Sequence, residues 1–320
     1  LVQRGGEDPA LEAAARRDIE TFTLLAELDW DQVLAEVGGK APREYGPVLA
    51  NLPRWRGSSP FSFAELTELY RANGAGLFAR HRAFLWEDGA LCPVEQPDCP
   101  GADEMLGYEL QRNRVIANTR AMLEGNLVNN VLLYGDSGTG KSATVKNLLT
   151  LPGFEALRLI EVQKEGLADL PRLIRTLGGR RLKFILFIDD LAFDQDDKTY
   201  SALKTILEGG LERRPANVAV YATSNRRRLV RQTFSDRAGD EVDASETIQE
   251  KTSLSDRFGL RIPYLALNQA EFLELVEGMA EQAGIALDRD SLRAEAVKWE
   301  MRNPGRTPRT AKQFIASLSL

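Results

Sequence analysis

The run VLLYGDSGTGKSATVKNLL, residues 131–149, holds Gly135, Asp136, Ser137, Gly138, Thr139, Gly140, Lys141 and Ser142 in the pattern G-x-x-x-x-G-K-S. Glycines at this spacing let the backbone curl so that successive amide hydrogens point inward. The helix that follows offers its positive N-terminus, and Ala143 carries the run into it. A lysine at the end of such a turn meets the β and γ phosphates of a nucleotide, and the neighbouring serine hydroxyl ligates magnesium. An apolar run precedes the loop and a helix-like run follows it, which is the setting that this chemistry demands.

A phosphate cradle needs acids beside it. In FILFIDDL an apolar run from Phe184 to Ile188 ends in Asp189 and Asp190. At the carboxyl end of a buried strand, Asp189 is placed to hold magnesium through water and Asp190 to polarise an attacking water. A further apolar run, VAVYATSN, ends in Thr223, Ser224 and Asn225, and an amide there can orient the same water against the γ-phosphate.

The elements that must position these residues fall into three blocks. From about Pro9 to Glu87 apolar residues recur at helical spacing, in LEAAARRDIETFTLLAELDWDQVLAEV and again in FSFAELTELYRANGAGLFARHRAFLW, where Ser62 and Glu65 form a capping-box pattern. A Pro-rich stretch, Cys92 to Gly101, reads as a linker, so residues 1–102 are expected to be a helical domain with its linker. Short apolar runs then alternate with helical ones, the pattern of a parallel sheet covered by helices. The strands expected are NVLLYG, LRLIEV, KFILFID, NVAVYATS and LRIPYL, within a core of residues 103–266. Residues 267–320 read as helical.

The order of glycine-rich loop, strand with paired acids, strand ending in Asn, the arginine-bearing LSDRFG and a helical tail resembles the AAA+ ATPase superfamily over roughly Asp103 to Leu320. The wording LLYGDSGTGKS, FILFIDDLAF, LEGGLERRPANVAVYATSNRRRLV, EKTSLSDRFGL and AKQFI is similar to a bacterial ATP-binding branch catalogued as a domain of unknown function. The resemblance implies an αβα core on a parallel five-stranded sheet, a C-terminal helical lid and an N-terminal helical domain. It implies ATP and Mg2+ as ligands, with Lys141 and Ser142 as the Walker A pair, Asp189 and Asp190 as Walker B and Asn225 as sensor 1. MLGYE resembles the segment that packs on adenine, which suggests Leu106, Gly107 and Tyr108. Arg257 matches an arginine finger reaching a neighbouring subunit, with Asp256 or Glu250 as rival partners on its own surface and Arg213 and Arg214 as rivals for the role. Arg309 resembles the sensor-2 arginine of the lid, with Arg306 as a competitor. Many AAA+ members have Asp-Glu where this chain has Asp189-Asp190, so the second carboxylate is one methylene short.

Composition bounds the function. With 320 residues, 43% hydrophobic and 28% charged, the chain has material for one or two packed cores. No run of eighteen apolar residues is present, so a membrane span is not expected, and a cytoplasmic setting is. Two cysteines and His81 are too few for a Cys/His zinc site; reduced cysteines and a packing role for His81 are expected. Net charge is -6, carried mostly by the first hundred residues, so a polyanion surface is not written across the protein. The basic run NRRRLVRQ reads first as an interface or solvated patch and second as a nucleic-acid contact. The expected function is an ATPase that assembles with itself, shares active sites between subunits and remodels, loads or positions a protein or nucleic-acid client. A nucleotide-gated binding module with negligible turnover is the alternative, and a P-loop kinase is a third, weaker one.

Overall fold

The computed structural model describes residues 8–40, 42–50, 62–192, 203–204, 206–207, 214–225, 254–303 and 305–318. NRRRLVRQ, apart from its first residue, Arg213 and Glu250 lie outside them. The chain divides after Gly74 into two units.

In the first unit the apolar spacing becomes helix, in α1 (Pro9–Glu27), α2 (Trp30–Lys40), α3 (Gly46–Ala50) and α4 (Phe63–Asn73). Asp8 accepts from the Ala10 and Leu11 amides and starts α1. The expected capping box starts α4. The Glu65 N–H donates to Ser62 Oγ at 3.1 Å and the Ser62 N–H to Glu65 at 2.7 Å. Neither α1 nor α4 fully buries a side chain, and Phe22, Leu24 and Leu69 stay more than half exposed.

The second unit departs from expectation at its start. After a single turn, α5 (Leu77–Arg80), residues expected to be helix and linker form β1 (Ala83–Glu87) and β2 (Ala90–Pro93). Asp88 and Gly89 join them with φ of 49° and 74°, the left-handed pair that a two-residue hairpin requires. Thus β1 pairs with β2 antiparallel and, through Ala83↔Leu159 to Trp86↔Val162, with the core sheet in parallel. The boundary expected at residue 102 therefore moves to residue 74, and Cys92 sits on a strand instead of in a linker. Both cysteines are free.

The five strands read from the sequence all form. They are β3 (Val131–Gly135), β4 (Leu157–Val162), β5 (Lys183–Ile188), β6 (Val218–Ser224) and β7 (Leu260–Tyr264). With the hairpin they make one seven-stranded sheet in the order β2-β1-β4-β5-β6-β3-β7, parallel except for β2. Every residue of β6 is buried, as a parallel strand covered on both faces should be. Alternate residues supply opposite cores. Leu132, Phe184, Leu186 and Val220 face the side of α8 (Leu170–Leu177), whereas Val131, Leu133, Ile185 and Tyr221 face that of Val115 and Met122 on α6 (Glu109–Leu123) and Val145 on α7 (Lys141–Asn147). At about 1.5–3 kcal/mol for each fully buried large side chain, these layers fix where the strand ends lie. The last three helices, α9 (Gln269–Gln282), α10 (Arg289–Arg302) and α11 (Pro308–Leu318), pack on a core of their own around Phe272, Val276, Ala296 and Phe314.

Candidate functional site

Sheet order alone brings the chemistry together. Strand β6 lies between β5, which carries the aspartates, and β3, which leads into the glycine-rich loop. The residues leaving β6 must therefore reach both neighbours. They do. Asn225 accepts from Lys141 Nζ at 2.9 Å and donates through Nδ2 to Asp190 at 2.9 Å.

The loop is held by contacts only glycine permits. Gly135 has φ of 135°, and a Cβ there would stand 2.2 Å from the Tyr264 carbonyl oxygen, which accepts the Asp136 N–H at 2.9 Å. The Asp136 carboxylate accepts the Ala266 N–H at 2.6 Å, tying the loop to the chain that leaves β7. Thr139 closes the turn with a bond to the Asp136 carbonyl at 2.8 Å. Lys141 is only 6% exposed, and its ammonium also donates to the carbonyls of Gly135 at 3.1 Å and Asp136 at 2.6 Å. Burial pulls this ammonium below the usual lysine range, opposed by the carboxylates of Asp136, Asp190 and Asp189.

The aspartates are exposed at the strand end. Asp189 accepts from the hydroxyls of Ser142, at 2.6 Å, and Thr223. Asp190 stands at φ 49°, a conformation that costs an L residue on the order of 1–2 kcal/mol, and its N–H donates to Thr223 Oγ1 at 2.9 Å. A hydroxyl and a carboxylate in contact are the hard oxygen donors that magnesium takes. Among the described residues no cluster of three or more His, Cys, Asp or Glu could hold a metal alone.

Arg309 comes to the loop from α11. Its N–H donates to the Gly138 carbonyl at 3.2 Å and its guanidinium to Ser137 Oγ at 3.4 Å. Gly138, at φ 77°, is needed here too, because a Cβ would lie 3.0 Å from that of Arg309. The competitor Arg306 is engaged by Glu300 at 2.6 Å. On the other flank, Leu106, Gly107 and Tyr108 line a cleft of about 590 Å³ together with Leu265, Leu275 and Gly278. Tyr108 stacks on Tyr264 with ring centres 5.1 Å apart and donates to the Leu265 carbonyl at 2.5 Å.

Arg257 lies in the turn before β7, its N–H donating to the Leu254 carbonyl at 3.3 Å. Its rival partner Asp256 is engaged by Arg261 at 2.6 Å. Arg214 does not serve as a free finger. It is fixed to Asn130 and, at 2.7 Å, to the Val128 carbonyl, beneath the start of β3. Sequence reasoning missed Thr223 as the link between the aspartates and Tyr264 as the link between Tyr108 and Thr144, whose hydroxyl meets that of Tyr264 at 2.9 Å. Only the positions of Thr223 and Tyr264 at strand ends signalled them.

The loop after β3, the acids after β5 and the amide after β6 thus meet at one end of a mostly parallel sheet, and three further helices follow β7. Among solved structures the chain is similar to the Thermotoga maritima RuvB Holliday junction branch migration motor, at 17% identity and a TM-score of 0.43, covering 69% of this chain and 63% of that one. It is also similar to two variant forms of the same protein, one at 16% identity and a TM-score of 0.44, covering 69% and 63%, the other at 15% and 0.44, covering 69% and 64%. The chain thus spans less than two thirds of the length of those structures. No curated protein matches its sequence. A family profile described as "Protein of unknown function (DUF815)" matches residues 79–319, about three quarters of the chain, and the chain belongs to that family.

Proposed function

We propose that this protein is a Mg2+-dependent ATPase of the AAA+ type, cytoplasmic and self-assembling, which couples ATP binding and hydrolysis to remodelling, loading or positioning a protein or nucleic-acid client. The observation that carries the reading is Asn225, bonded to Lys141 on one side and Asp190 on the other. One amide thereby joins the group that would hold the γ-phosphate to the group that would take the proton of the attacking water.

The roles follow from the contacts. The amides from Gly135 to Ala143 wrap the phosphates, and Lys141 meets the β and γ oxygens. Ser142 and Asp189 hold magnesium, which neutralises charge on the phosphates when bound. Asp190 accepts the proton of water, and Asn225 fixes the angle of approach. Leu106, Gly107 and Tyr108 receive the adenine in their cleft, and Arg309 carries nucleotide state to the lid. Arg257 serves a neighbouring subunit's site, and the first unit, with its exposed apolar side chains, captures the client.

The alternative is a module that holds ATP and turns it over negligibly. One feature favours it. Asp190 is a methylene shorter than glutamate and already bonded to Asn225. Asp190→Asn decides between the two. For an ATPase it abolishes phosphate release while ATP affinity stays within about threefold. A wild-type rate equal to that of the variant sinks the ATPase reading. The same variant, loaded with ATP, should retain the client, and deletion of residues 1–74 should release it.

A further inference from the structure

Thr223 is 1% exposed at the carboxyl end of β6, and its polar atoms go to three consecutive residues. Its hydroxyl proton is donated to Asp189 Oδ1. The hydroxyl oxygen, Oγ1, accepts the Asp190 N–H at 2.9 Å, and the Thr223 carbonyl accepts the Leu191 N–H at 2.7 Å. The turn that carries both acids is therefore built on one residue of the neighbouring strand. Asp190 needs such a support because its φ of 49° is one that an L residue keeps only when its surroundings hold it there.

We infer that Thr223 is a positioning residue for the Mg-ATP chemistry. By donating to Asp189 it fixes which carboxylate oxygen stays turned away from β6, and by accepting from Asp190 it aims the short second carboxylate toward Asn225. The inference rests on the ATPase reading and deepens it, since it assigns the placement of both acids to a group that touches neither nucleotide nor water. The side chain must donate and accept at once, which a hydroxyl does and a methyl does not. The β-branch adds a smaller effect by favouring one rotamer inside the strand.

A threonine that merely supports a turn would change stability alone, so the test reads metal dependence and turnover. Thr223→Val, of nearly the same shape, Thr223→Ala and Thr223→Ser are compared with the full-length wild type. The readouts are the Mg2+ concentration for half-maximal binding of a fluorescent ATP, kcat, affinity without metal, and Tm. Loss of the hydroxyl should raise the Mg2+ requirement about tenfold and lower kcat at least tenfold, leaving metal-free affinity within about twofold. Thr223→Ser should recover both within about threefold. If Thr223→Val fails to fold, Thr223→Ala takes its place. A hydroxyl-free variant with wild-type Mg2+ requirement and kcat overturns the inference while leaving the ATPase reading intact. A wild type that binds ATP without turnover leaves the Mg2+ requirement to decide, and one that binds no ATP overturns both.

Discussion

Lys141→Ala tests the phosphate cradle at its most constrained atom. All three N–H protons of the ammonium are used, by Gly135, Asp136 and Asn225. To meet a phosphate the lysine exchanges at least one of these acceptors for a charged oxygen. Hydrogen bonds to charged groups are worth about 1.5–3 kcal/mol, so one or two such exchanges net roughly 3 kcal/mol. At about 1.4 kcal/mol per tenfold, removing the lysine should weaken ATP binding about a hundredfold. Folding should suffer less. The Asp136 carbonyl keeps its bond from Thr139, and the desolvation that pulls Lys141 down disappears with it. A net loss of about 1–2 kcal/mol corresponds to a Tm lower by roughly 2–8 °C for a domain of this size. Calorimetric or fluorescence titration with Mg2+ATP, beside a thermal melt, measures both. A folded variant whose affinity lies within threefold of the wild type would refute the assignment of this loop.

Mixing Arg257→Ala with Asp190→Ala subunits should restore part of the ATPase activity that each lacks alone, because hybrid interfaces contain one intact arginine and one intact acid. Proven co-assembly without rescue removes the trans role of Arg257. Burial pushes the Tyr264 phenol up to about 12 from its ordinary 10. The folded state therefore favours the neutral form. Its contribution is complete below pH about 10 and is lost as pH rises through about 12, a difference on the order of 3 kcal/mol. Tyr264→Phe should make the alkaline decline shallower by up to about 1.4 kcal/mol per pH unit in denaturant midpoints, and an unchanged slope contradicts this.

Much of the site is legible in the sequence because its chemistry is local. The loop from Gly135 to Ser142 specifies its own backbone, and Asp189, Asp190 and Asn225 advertise themselves by ending apolar runs. What is not legible depends on which strands become neighbours. Thr223 gains its partners only because β6 lies beside β5, and Arg214 loses its freedom only because Asn130, the residue before β3, lies beside it. The hairpin is a different kind of miss. AFLWEDGALCP carries the Asp-Gly turn between apolar runs, a hairpin signal, but LFARHRAFLW also fits a helical period, and the two signals compete over the same residues. Pairing with β4 decides between them, burying Phe84 and Trp86.

That hairpin has a mechanical consequence. Within ten residues of Gly74 the chain enters β1, which is paired in parallel over four positions with β4. Tension along β1 loads its hydrogen bonds to β4 side by side, in shear, where they share the strain instead of parting one at a time. Strand β4 pairs directly with β5, whose last residue precedes Asp189. A pull on the chain ahead of β1 is thus delivered to the sheet two strands from its acids, through a joint suited to bearing load.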